Sequence, residues 1–300
     1  MKSIVSYPDR GEGGKSLYRG NCSPHLIEDL IKQYHAKSIS DFMVGGGTTK
    51  DVATNHGIQS YTTDLSQGFD MMNDDIPVRS ELTFWHPPYL DIVVYSDVMY
   101  KAADVIAKYG FDPKERDLSR IHDWDKFMKA INYCCLKQYS ALEQGGRLAI
   151  LMGDIKKKGQ LYSMIREICC PGTLEQIVIK AQHNCVSDRT RYSNTSFIPI
   201  VHEYVMIIRK DSPLIFDIQY TTKKKVDMRD INASTWRDVV LEVMSSFGGG
   251  VKLEDVYKAI DGHQKAKKNP HWKEKIRQTL QLHSDLFENT DRGVWQLSAA

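Results

Sequence analysis

The sequence predicts an α/β protein built on a doubly wound, mostly parallel sheet, followed by a small helical module. Three observations carry this. Short strand-like runs at Ser38 to Met43, Gln59 to Thr63, Leu82 to His86 and Arg147 to Met152 alternate with helical stretches, the pattern that right-handed crossovers close into one sheet. The first run goes straight into Gly45-Gly46-Gly47-Thr48-Thr49 and a helix starting near Lys50. Beyond residue 233 the rhythm changes to helices that end in a short hairpin.

In chain order, residues 1–16 are polar and Gly-rich and read as a mobile arm. Ser23-Pro24 has the form of an N-cap with proline at the first helical position, and Leu26, Ile27, Leu30, Ile31 and Tyr34 then share one helix face. A long helix is expected from Trp124 to Leu142, turned by Gly145-Gly146 into the strand at Arg147. Gln176 to Lys180 and Glu203 to Arg209 flank a polar loop, which suits a hairpin at a sheet edge. Residues 221–233 are charged and unpatterned and read as a linker. Thr235 and Asp238 then form a capping-box start, with Trp236, Val239, Val240, Val243 and Met244 on one face. Gly248-Gly249-Gly250 ends that helix. Leu253, Val256, Tyr257 and Ile260 mark a second helix, and Asn269-Pro270 opens a third with Trp272, Ile276 and Leu280 inward. Phe287 and Gly293 to Leu297 suggest the hairpin, which completes a winged-helix pattern. The expected organisation is an arm over 1–16, a main domain over 17–220, a linker over 221–233 and a winged helix-turn-helix over 234–300.

The bulk properties narrow the classes. At 300 residues, the chain can bury a core in each domain. A net charge of +2 leaves any nucleic-acid binding to local patches rather than to a global field. No apolar run is long enough to span a bilayer and the N-terminus does not read as a signal peptide, so the expectation is a cytoplasmic protein with no membrane partner. Cys22, Cys134-Cys135, Cys169-Cys170 and Cys185 form neither a disulfide framework nor a zinc spacing, and the histidines show no ligand spacing either; reduced thiols and no metal are expected.

The chemistry concentrates in two places. In Asp41-Phe42-Met43-Val44-Gly45-Gly46-Gly47-Thr48-Thr49 the glycines let backbone pass close to a ligand, with the free N–H groups of a helix start behind them. The turn lacks the Lys-Ser/Thr of a phosphate cradle. Asp64 ends the next strand, about twenty residues on, where a carboxylate can hold ribose hydroxyls. Together they point to an adenosine-containing cofactor; the plainer alternatives are a tight turn and a solvated loop carboxylate. The second place is His86-Pro87-Pro88-Tyr89. Proline lacks a ladder N–H and fixes its own φ, so this is a rigid turn at a strand's C-terminal end, where open α/β sheets bind ligands.

These motifs resemble those of the S-adenosylmethionine-dependent DNA amino-methyltransferases over roughly residues 15–210. Leu17 to Ser23 is similar to the family's cofactor motif before the first strand, which would assign Tyr18, Asn21 and Cys22. Asp41 to Thr49 resembles its D-P-F-x-G-S-G-T-T motif, which would assign Asp41, Phe42, Gly45, Gly47, Thr48 and Thr49, with Asp64 on the ribose. Gly145 to Asp154 and His202 to Lys210 are similar to its later strands, and the motif order is like the gamma arrangement. The resemblance implies a Rossmann-like, seven-stranded class I methyltransferase sheet. It also implies a catalytic turn at His86, Pro87, Pro88 and Tyr89: the first residue and a proline carbonyl accept hydrogen bonds from the target amine, and the tyrosine stacks on a flipped-out base. The family carries Asp, Asn or Ser where this chain has His86. Neutral imidazole can accept one hydrogen bond and protonated imidazole none, so the expectation is activity that fails at acid pH. Adenine N6 is the favoured target. Cytosine N4, or a silent DNA-binding protein on the same fold, are the alternatives.

Two segments are candidates for holding double-stranded DNA. Arg189, Arg191 and Tyr192 sit in the polar loop of Ala181 to Ser196, where arginines could hold phosphates. Lys267, Lys268, Lys273 and Arg277 cluster before and along the third helix of the C-terminal module, which resembles the helix-turn-helix domains attached to restriction-modification enzymes. With no large separate recognition domain in the chain, site recognition would be short, or shared with a second protomer or a restriction-system partner.

Overall fold

The computed structural model describes residues 1–183, 197–211 and 235–298. Arg189, Arg191, Tyr192, Cys185 and the expected linker therefore lie outside the described residues. Contacts group the chain into two compact units, Met1–Thr222 and Lys223–Ala300.

The first unit is a mixed α/β fold around a seven-stranded sheet. Its elements are β1 (Ile4–Ser6), α1 (Pro24–Tyr34), β2 (Ser38–Asp41), α2 (Thr48–Asn55), β3 (Gln59–Thr62), β4 (Ser80–Trp85), α3 (Tyr95–Val98), α4 (Ala102–Tyr109), α5 (Pro113–Arg116), α6 (Trp124–Ser140), β5 (Leu142–Met152), the hairpin β6 (Asp154–Lys157) and β7 (Gln160–Ser163), α7 (Met164–Glu167), β8 (Thr173–Ala181) and β9 (His202–Arg209). The sheet order is β1-β8-β9-β5-β4-β2-β3. Only β9 runs against its neighbours.

Strand periodicity explains the layering. In β5, Leu148, Ile150 and Met152 face one core and Ala149 and Leu151 the other. In β9, Met206 and Ile208 share the first core while Val205 and Ile207 share the second. Central strands buried on both faces read as continuous apolar runs, as these do. The second core is closed by Leu26, Ile27, Leu30 and Ile31 of α1 and Val52 of α2; the first by Phe127, Ile131, Cys134 and Cys135 of α6. Because β4, β2 and β3 lie side by side and parallel, their C-terminal ends open on one edge, bringing His86, Asp41 and Asp64 together.

Two expectations are corrected. Residues 1–16 are not a loose arm: β1 pairs in parallel with β8 from Ile4↔Ile179 to Ser6↔Ala181, and Val5 is buried in the second core. The two β-branched residues Ile4 and Val5 suffice for a short strand once β8 offers its free edge. The β8–β9 pair is antiparallel as expected, but it is not the sheet edge, because β1 covers β8 and β9 lies between β8 and β5.

The second unit holds helices at Trp236–Phe247, Leu253–Ile260, Gln264–Lys268 and Trp272–Leu282, with strands at Val251–Lys252, Phe287–Asp291 and Val294–Leu297. Thr235 caps its first helix through the reciprocal bonds with Asp238, and Gly248 ends it in the left-handed region at φ 67°. The Asn269-Pro270 start moves to Trp272, and the short helix Gln264–Lys268 precedes it. Val251–Lys252 pairs antiparallel with Val294–Leu297. The inner faces meet in one core around Val240, Val243, Val256, Ile276, Leu280 and Phe287.

Candidate active site

Two clefts meet at the C-terminal edge of the sheet. The first is lined by Tyr18, Asn21, Cys22, Asp41, Phe42, Gly45, Thr48, Thr49, Asp64, His86 and Pro88, among others. Of the cofactor residues expected from the sequence, only Gly47 is not on its wall.

The Gly-rich turn is held by two buried carboxylates. Asp41, at the end of β2, accepts from Thr49 Oγ1 at 2.6 Å and from the Met43 amide at 3.0 Å. Asp64, just after β3, accepts from the Gly45 amide at 3.0 Å and from the Ser66 amide and hydroxyl at 2.9 and 2.6 Å. Burial pushes Asp41 up to about 7 against those hydrogen bonds, and it raises Asp64 too. Gly45 takes φ 50°, and a Cβ there would come 2.6 Å from the Tyr18 ring. Residues 14–22 close over the turn: Asn21 receives Thr48 Oγ1 at 2.7 Å and gives to the Lys15 carbonyl at 2.7 Å. Tyr18 stacks on Tyr95 at 5.9 Å between centroids.

Sequence reading missed Phe69, Asp70, Tyr95, Tyr100, Arg116 and Asp117, all on the same wall. Asp70 accepts from the Met72 amide and Asn73, with Arg116 at 3.5 Å; Asp117 accepts from the Ser96 and Ser119 amides. None of them falls in a periodic pattern: Tyr95 opens the four-residue α3, Arg116 ends the four-residue α5, and Phe69, Asp70, Tyr100 and Asp117 lie in connecting segments. Asp64, Asp70 and Asp117 against the single Arg116, with Asp41 protonated in part, leave this wall anionic. Such a wall repels a polyphosphate and suits a cation bearing hydroxyls and an aromatic ring.

The second cleft is lined by Arg10, Arg19, Asn21, Cys22, His86, Pro87, Tyr89, Tyr95, Lys180, His183 and Glu203 among others, so His86 stands on the wall between the two. His86 Nε2 lies 3.0 Å from Tyr89 Oη, which donates to Glu203 Oε1 at 2.7 Å. Glu203 Oε2 pairs with Lys180 Nζ at 2.8 Å, both side chains almost wholly buried. Register sets that pair directly, since Lys180 at the end of β8 faces Glu203 at the start of β9. Burial works to raise Glu203, yet Lys180, His86 and the Tyr89 hydroxyl hold it below its usual range. Burial lowers His86, with Glu203 pulling the other way; burial and the Glu203 carboxylate push the Tyr89 phenol far up. The Tyr89 ring lies against the Gly153 backbone, where a Cβ would stand 2.8 Å from Cε2. His86, Pro87, Pro88 and Tyr89 are thus together, with Glu203 and Lys180 as partners that no local pattern announces.

In the second unit, Lys267, Lys268, Lys273 and Arg277 are exposed. Lys273 Nζ rests over the Tyr257 and Trp272 rings at 5.6 and 5.5 Å, and Arg277 pairs with Glu274 at 3.1 Å.

This combination defines an α/β protein with a strand-end Gly-rich turn and a two-cleft site. No family model and no curated protein matches the chain. Solved structures with which it shares a fold likeness include TrmN from Thermus thermophilus (12% identity, 64% of this chain and 50% of that one, TM-score 0.32). A second Thermus thermophilus protein, TTHA0409, provisionally assigned as a DNA modification methylase, gives 15% identity over 63% of this chain and 56% of that one, TM-score 0.27. An rRNA methylase from Streptococcus thermophilus gives 13% identity over 62% of this chain and 96% of that one, TM-score 0.28. The chain spans about half the length of the first two. At such scores the likeness has no bearing on chemistry, which rests on the site's own geometry.

Proposed function

We propose that the protein is an S-adenosylmethionine-dependent DNA methyltransferase that modifies an exocyclic amine, adenine N6 in preference to cytosine N4. One observation carries the reading: His86, at the end of β4, is shared by an anionic cleft built on a Gly-rich turn and a second cleft with cationic groups on its wall. The donor set suits S-adenosylmethionine. Asp64 and Asp70 offer carboxylates to ribose hydroxyls or to the cationic parts of the cofactor, and Phe69 and Tyr18 offer ring faces. When bound, that cofactor supplies an electrophilic methyl group on a sulfonium.

The chain's own residues do the rest. The rigid Pro87-Pro88 turn fixes an acceptor at His86 and a proline carbonyl for the amine's N–H groups. Those bonds draw the nitrogen lone pair out of conjugation and aim it at the methyl group. With the cofactor bound, the nitrogen would take the methyl group, the sulfonium would leave as a neutral thioether, and the amine proton would pass to solvent. The protein supplies alignment and charge stabilisation. The exposed lysines of the C-terminal unit, which we read as a winged helix, add duplex affinity through phosphates.

The test is transfer of labelled methyl from S-adenosylmethionine to mixed-sequence duplex DNA, followed by nucleoside analysis. N6-methyladenine supports the reading, and N4-methylcytosine moves the target to the second base. Label appearing only on RNA or on small amines would overturn the DNA assignment.

A further inference from the structure

We infer that Glu203 and Lys180 are positioning residues that fix the tautomer of His86, placing the imidazole proton on Nε2 and leaving the Nδ1 lone pair as the acceptor for the substrate. The inference rests on the reading of His86 given above, and it narrows that reading: the group met at Nδ1 must be an N–H or O–H donor.

A carboxylate only accepts hydrogen bonds. Glu203 is paired with the Lys180 ammonium at 2.8 Å and is held ionised, so the 2.7 Å contact with Tyr89 is made by the phenol donating its single proton. With that proton spent, Tyr89 Oη has only lone pairs left for His86. The 3.0 Å contact then requires His86 Nε2 to carry a hydrogen and donate it. A neutral imidazole has one N–H, so Nδ1 is bare. Burial keeps His86 neutral; the groups that act on it are Glu203 of β9 and Lys180 of β8, with Tyr89 on its own turn. Nδ1 itself has no hydrogen-bond partner among the described residues. A histidine fixed this way offers what a carboxylate or amide oxygen would offer at that place, a free lone pair that can accept from an N–H or O–H donor.

The experiment is nitrogen-15 NMR of the histidine-labelled full-length protein, without cofactor or DNA, with the His86 signals assigned by loss in His86→Asn. The wild type should show Nε2 protonated and Nδ1 bare. In Glu203→Gln the amide carbonyl turns to Lys180 and its NH2 to Tyr89. Tyr89 then donates to Nε2, and the proton should move to Nδ1. The same variant should lose methyl transfer by at least about 10²-fold, as wrong-tautomer imidazoles do, with S-adenosylmethionine affinity unchanged. Tyr89→Phe keeps the Glu203–Lys180 pair intact and should give a tautomer mixture, so it decides the matter if Glu203→Gln does not fold. A wild-type protein carrying its proton on Nδ1, or an unaltered tautomer in the folded variants, would overturn the inference. Because the spectra need no nucleic acid, absence of DNA methylation would count against the proposed function and leave this result standing.

Discussion

The two clefts that share His86 are built by opposite means. The first is wired through backbone: Asp41 and Asp64 hold amides of the chain itself, all within a segment of about twenty-five residues. The second is wired through side chains brought from distant parts of the chain, with 114 positions between Tyr89 and Glu203. Their charges also differ. Aspartates dominate the first wall, whereas in the second Lys180 and Glu203 cancel and Arg10 and Arg19 remain, Arg10 Nη2 being buried without a hydrogen-bond partner among the described residues. A cation and an anionic polymer can each find their own side, and the His86 turn, with Asn21, Cys22 and Tyr95, faces both.

The contrast can be broken at several strengths. The largest effect is expected from Lys180→Met, which strands the Glu203 carboxylate in a buried place and should cost about 3–5 kcal/mol of stability. Urea unfolding measures it, and a loss under about 1 kcal/mol would mean the pair behaves as an exposed one. Next, His86→Ala should lower methyl transfer by about 10²–10³-fold while calorimetry shows S-adenosylmethionine binding intact; a fall in both would merge the two clefts into one function. Gly45→Ala should act on the other side. It forces a Cβ against the Tyr18 ring and should weaken cofactor affinity by about tenfold, 1.4 kcal/mol, with less effect on DNA binding.

A smaller effect concerns Asp41. Its folded value of about 7 lies above the ordinary 3.8, so the folded chain binds the extra proton and stability falls as pH rises through that window. Asp41→Asn should flatten the melting temperature between about pH 4 and 7; an unchanged slope would locate the titration elsewhere. The smallest effect lies in the C-terminal unit. Lys267→Ala with Lys268→Ala should reduce the salt slope of DNA binding by about two, with methyl transfer at saturating DNA unaltered.

The two wirings also explain what could be read from the sequence. Asp41, the glycines and Asp64 are close in sequence, so a strand–turn–helix–strand reading places them, and the prolines betray the His86 turn. The Glu203–Lys180 pair was invisible because register, not spacing, makes it. Asp70 and Asp117 were missed because loop carboxylates that cap their own turns look like any others. The β1 strand was missed because three residues carry no period, and only a free edge elsewhere gives them a reason to pair. The short strand Val251–Lys252 escaped for the same reason.

That first strand has a consequence for the order of assembly. Its partner comes almost at the end of the unit, and the Ser6 hydroxyl reaches His183 across 177 positions of chain. During synthesis these residues emerge long before β8, the strand they pair with. Until β8 arrives, Ile4 and Val5 wait unpaired, and until β1 docks, β8 shows a bare flank carrying Ile177 and Ile179. Loop closure over so long a span is slow, so the interval in which both are exposed is the stage of folding most open to mispairing between copies.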